Sequence, residues 1–87
     1  MKATKRKLIR DLKRKGIPFK LRVVLADRLR KGTLAVVDMH NGGGIDGVKV
    51  LRDVVVGKTG VLVRYTVYAR DKAGKFVPVY TVDNFDD

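Results

Sequence analysis

The sequence predicts an α+β fold: one or two N-terminal helices packed on an antiparallel β-meander of three to four strands. Three observations predict it. The first third of the chain is strongly cationic, and its leucine and isoleucine recur at helical spacing. From residue 48 onward, valine and tyrosine alternate with polar residues at strand spacing. Two short glycine-bearing stretches, "GKTG" and "DKAG", cut that half into hairpin-length pieces. A chain of 87 residues has room for one domain and one modest core. We divide it into a basic helical region (1–32), a sheet region (33–82) and an acidic tail (83–87).

Thr4 to Lys15, "TKRKLIRDLKRK", reads as a helix. Leu8, Ile9 and Leu12 form a narrow apolar stripe, Thr4 is placed to cap the start, and Gly16 to end it. At about 100° per residue, Arg6, Lys7, Arg10, Lys13 and Arg14 fan over the other side, with Asp11 as the only acid. Ile17 to Gly32 fits two patterns. As a helix, Pro18 takes the first position and Leu21, Val24, Leu25 and Leu29 form one face. As a strand, Phe19, Leu21, Val23 and Leu25 alternate with their neighbours. The half from Leu25 to Gly32 favours helix on propensity.

The remainder reads as β-structure. Leu34 to Met39 is a short apolar strand, and His40 to Gly47, "HNGGGIDG", a glycine-rich hairpin loop. Val48 to Val56 and Val61 to Arg70 pair across Gly57–Gly60, with Val56 opposite Val61, Val54 opposite Val63, Arg52 opposite Tyr65 and Val50 opposite Val67. Folding about Asp71–Gly74 brings Phe76 to Val82 alongside, with Ala69 opposite Phe76 and Tyr65 opposite Tyr80. Pro78 marks that last strand as an edge. This register puts Val50, Val54, Val63, Tyr65, Val67, Phe76 and Tyr80 on the core face, and a bulge at Gly74 would shift the last strand by one residue. Lys49, Asp53, Arg64, Thr66, Tyr68 and Arg70 fall on the outer face, where Asp53 stands opposite Arg64.

Charge speaks most directly to function. Twenty Lys and Arg face nine acids, a formal net charge of +11, and thirteen of the twenty lie within residues 1–31. All nine acids are aspartate, and Glu, Gln, Ser, Cys and Trp are absent. Without cysteine there is no disulfide framework and no thiolate metal site. No apolar run spans a bilayer and no apolar segment follows the basic N-terminus, so the expected setting is cytoplasmic. So uneven an excess of cations suggests a polyanionic partner, DNA or RNA first. The expected contacts are Lys5, Arg6, Lys7, Arg10, Lys13 and Arg14, supported by Arg28, Arg30 and Lys31.

Gly57-Lys58-Thr59 has the ending of a phosphate-binding P-loop, but Arg52 stands where the first glycine is required and a strand follows instead of a helix. It reads as a turn. His40, with Asp38 and Asp46 nearby, offers a general base for a small ribonuclease or toxin, and a weak metal set. The first two segments resemble a helix-turn-helix superficially. The second is too apolar to read bases, and the adenine-reading amides are scarce, so backbone binding fits better. On the outer sheet face, Arg64, Tyr68 and Arg70 are candidate contacts, although one outward tyrosine is few for stacking bases. Asp83, Asp86 and Asp87 read as a solvated terminus.

The sequence therefore leads to a small non-enzymatic nucleic-acid-binding protein with no cofactor or metal and no membrane contact, monomeric or homodimeric. The rival is a compact protein–protein module, such as a phage-type inhibitor, docking on an acidic host surface.

Overall fold

A computed structural model describes residues 4–86. Three helices precede three strands: α1 Lys5–Arg14, α2 Phe19–Leu29, α3 Thr33–His40, β1 Val48–Gly57, β2 Gly60–Arg70 and β3 Phe76–Asp86. The strands form one antiparallel sheet in the order β1-β2-β3, and the helices cover one of its faces. The α+β class holds.

α1 forms as its stripe requires. Leu8 and Leu12 are buried, and the Thr4 hydroxyl accepts from the Lys7 amide at 3.2 Å. Gly16, at φ +80°, turns the chain where the helix ends, a conformation that L-residues avoid. Ile17 is fully buried and Pro18 stands just outside α2. The ambiguous second segment is helical. Its buried residues are Leu25, Ala26 and Leu29, whereas Val24, expected inside, is exposed.

The stretch expected to be the first strand, Leu34 to Met39, is helix α3. Ala35, Val36 and Met39 are its buried residues, a spacing that only a helix turns to one side. The run is apolar almost all round, so periodicity cannot separate helix from strand. The sheet thus begins at Val48, not in the 33–47 region, and has three strands. The glycine-rich segment joins a helix to a strand and is not a hairpin loop.

β1 and β2 pair in the expected register, from Val48 opposite Ala69 to Gly57 opposite Gly60. β3 differs in two ways. Val79 is an extra residue, a bulge between the pairs Val67–Tyr80 and Tyr68–Pro78. Pro78 lacks an N–H, and the bulge beside it relieves the ladder of a missing donor. Ahead of the bulge, the turn itself shifts the register by one residue: Asp71 donates its amide to the Lys75 carbonyl at 2.8 Å and Gly74 stands at φ +85°. Phe76 therefore falls opposite Arg70 and Val77 opposite Ala69, so Phe76 leaves the core face and Val77 joins it, and the Val79 bulge returns Tyr80 to the core face. Tyr65 accordingly pairs with Val82 rather than Tyr80. The acidic end, expected as a tail, is strand as far as Asp86, with Asp83 exposed on it, and Asp87 lies outside the described residues.

The core gathers Leu8, Leu12, Ile17, Leu25, Leu29, Val36 and Met39 from the helical half against Val63, Tyr65, Val67 and Ala69 of the central strand. The β1–β2 hairpin outruns this cover. Residues 51–60 are all exposed, Val54 among them at 54% despite its place on the core face.

Candidate nucleic-acid interface

α1 builds the main surface. Because Leu8 and Leu12 turn inward, Arg6, Lys7, Arg10, Lys13 and Arg14 are held outward along a helix of ten residues, about 15 Å long. Its first turn contains Lys5, Arg6 and Lys7 and no acid. Cations there oppose the helix macrodipole, and each unfavourable placement costs about 0.3–1 kcal/mol at low salt. Lys13 and Arg14, in the last turn, agree with it. An anion at the first turn relieves both the repulsion and the unpaired N–H groups of the helix end.

The protein's own aspartates neutralise some of these charges weakly. Asp27 lies 3.9 Å from Lys5 and 3.6 Å from Arg30, and Asp11 lies 3.9 Å from Arg14. Arg28 turns to α3, where its guanidinium is 3.5 Å from both the Asp38 carboxylate and the Gly43 carbonyl. These are exposed pairs at long range, each worth about 0–1 kcal/mol. Among the described residues, Arg6, Lys7, Arg10 and Lys13 form no ion pair.

The supporting cations divide. Arg30 reaches back toward α1 through the shared Asp27. Arg28 and Lys31 instead line a shallow groove of about 490 Å³ between α2 and α3, with Leu34, Ala35 and Asp38. The structure therefore brings together the six α1 cations and Arg30, and sets Arg28 and Lys31 apart from them.

On the outer sheet face, Arg64 is engaged. It donates to both Asp83 carboxylate oxygens, at 2.7 and 3.0 Å, and not to Asp53 as the register alone suggested. The hydrogen bond, and then the nearby charge, raises the Arg64 pKa, and the same bond lowers that of Asp83. Tyr68 and Arg70 belong to a different group. The Lys49 ammonium lies 5.6 Å from the Tyr68 ring centre and 4.8 Å from that of Phe76, and the Arg70 guanidinium carbon 4.9 Å from Phe76. Sequence reasoning missed Phe76, because a straight register sends it inward. The available signal was Gly74, where a bulge in the turn shifts the last strand by one residue.

Three other motifs resolve structurally. Lys58 and Thr59 form the two-residue loop of the β1–β2 hairpin, and β2 follows where a P-loop requires a helix. His40 ends α3 exposed, its ring edge-on to Tyr65 at 5.5 Å. Among the described residues no three His or Asp side chains are grouped to hold a metal ion, so Asp38, His40 and Asp46 do not make such a set. Gly43 packs on Asp38, where an added Cβ would fall 2.5 Å from the carboxylate and 3.1 Å from the backbone oxygen. That close approach gives this glycine a structural reason. No described helix is long and apolar enough to cross a membrane. Comparison of the chain with protein families, curated proteins and solved structures yields no match.

Proposed function

We propose that this chain is a small non-enzymatic nucleic-acid-binding protein that grips phosphates through the outer face of α1, with little base specificity. One observation carries the reading: Arg6, Lys7, Arg10 and Lys13 stand exposed on one helix, without ion-pair partners among the described residues, in a chain of net charge +11. Lys5, Arg14 and Arg30 extend the surface, since their long contacts to Asp27 and Asp11 yield readily to a phosphate. α1 carries no Asn or Gln to read adenine, and contacts from its cations to phosphates carry no sequence information, which supports the low specificity proposed. Labelled duplex and single-stranded oligonucleotides, titrated at two salt concentrations, test this. Binding at low salt that weakens steeply as salt rises is expected. No binding at low salt, or a flat salt response, ends the proposal.

One observation favours a second reading, a protein–protein module. β1 is an edge strand, and Leu51, Val54, Val55 and Val56 on it are 40–78% exposed. An apolar open edge is a surface for another chain, whereas β3 at the other edge is interrupted by Pro78 and the bulge. Sedimentation of the protein alone tests the homodimeric form of this reading. A dimer that Val55→Lys dissociates supports it, and a monomer at high concentration removes it.

A further inference from the structure

We propose that the outer face of the sheet is a base-stacking platform for single-stranded nucleic acid, built from Tyr68 and Phe76 and flanked by Lys49 and Arg70. This rests on the nucleic-acid reading above and adds the form of nucleic acid bound and the side chains that meet its bases.

The helices cover one sheet face and leave the other open. On that open face, Lys49 of β1 stands opposite Tyr68 of β2, and Arg70 of β2 opposite Phe76 of β3. Two rings and two cations from three strands thus share one patch, with cation-to-ring distances of 4.8–5.6 Å. Both rings are half-buried, and neither Lys49 nor Arg70 forms an ion pair among the described residues. The cations are held over the rings by the ring quadrupole, a weak attraction at an exposed site. A nucleobase is a better occupant of a ring face, and its phosphate is a better partner for the displaced cation. A ligand that supplies both at a repeat of one nucleotide satisfies the whole patch. Duplex does not, because its bases are already stacked and paired.

The patch also connects to α1. Lys72, in the turn between β2 and β3, donates its amide to the Gly16 carbonyl at 3.0 Å. The Lys15 ammonium donates to the Pro78 carbonyl at 3.0 Å. The turn therefore docks on the α1–α2 link, and Lys15, Lys72 and Lys75 are exposed between the C-terminal end of α1 and the strand ends that carry Arg70 and Phe76. A single strand held by phosphates on α1 reaches the rings over this basic rim.

The test compares an oligothymidylate of about ten nucleotides with a duplex of similar length. Wild type, Tyr68→Ala, Phe76→Ala and Phe76→Leu are used, each first shown to be folded by circular dichroism. Phe76→Leu keeps the apolar volume and removes the ring face. Each ring variant is expected to weaken single-strand binding by about tenfold, with duplex binding and the salt slope unchanged, and Tyr68→Phe to restore it. If wild type binds both probes steeply with salt but the ring variants bind oligothymidylate as well as wild type does, the platform is overturned and the α1 reading stands. If wild type binds neither probe at low salt, both fall. If the ring variants change only the sedimentation of the protein alone, the face is a protein contact, and the proposal is overturned.

Discussion

Arg64 shows what one residue decides in this fold. It sits in the central strand with an aspartate facing it from each side, Asp53 on β1 and Asp83 on β3. It takes Asp83 with two hydrogen bonds, which tie that carboxylate to the central strand. The bond to Arg64 is the first cause of the lowered Asp83 pKa. The folded value lies below the unfolded one, so the contribution is fully present above the unfolded pKa and is lost as pH falls through the folded value. Both groups are at the surface, which keeps the effect small. Carboxyl resonances followed by NMR from neutral to acid pH should show Asp83 titrating below an ordinary aspartate. In Arg64→Gln it should return to the ordinary value. An Asp83 that titrates alike in both proteins contradicts the pairing.

Among the elements, α1 is the one whose stability and proposed work pull apart. Its apolar stripe and its Thr4 cap hold it in place, while Lys5, Arg6 and Lys7 oppose the positive end of the helix dipole. Replacing Thr4 with Ala should therefore cost about 1 kcal/mol in a denaturant melt. Replacing Arg6 and Lys7 with Gln should cost no stability, or raise it slightly, while nucleic-acid affinity falls. A variant that loses both together contradicts the assignment of these residues to binding. The same element was legible in the sequence, because stripe, cap and terminating glycine all agree. The β1–β2 register was legible too, since a short turn fixes which valines oppose which. α3 was not, because "TLAVVDMH" buries Ala35, Val36 and Met39 while nearly every neighbour is also apolar. β3 was half legible. Pro78 marked an edge strand and Gly74 the one-residue shift at the turn that carries Phe76 to the outer face, but the alternation of a straight strand cannot show the extra residue at Val79 that returns Tyr80 to the core face.

The whole molecule divides into a covered and an uncovered part. Leu12, Ile17, Leu25, Leu29, Val36 and Val67 are fully buried where the helices lie on the sheet. The hairpin beyond them leaves Val56 at 78% exposure. Leu25→Ala should therefore lower the unfolding free energy by about 2–5 kcal/mol. Against a total of about 5–15 kcal/mol for a domain, that is a large share. Val56→Thr should change it by less than about 0.5 kcal/mol. Equal losses in chemical denaturation would mean that the hairpin tip is packed as tightly as the centre. The cations follow the same division. Those on α1 border the covered part, and Lys49 and Arg70 occupy the open sheet face, so the candidate surfaces lie on different sides of one sheet.

The most direct test of the central claim is the slope of log affinity against log salt on a generic duplex, for wild type and for a variant with Arg6, Lys7, Arg10 and Lys13 all replaced by Gln. Phosphate contact by α1 predicts a steep wild-type slope that becomes shallower in the variant by about 0.9 for each contact removed. The same slope and affinity in both proteins would contradict it.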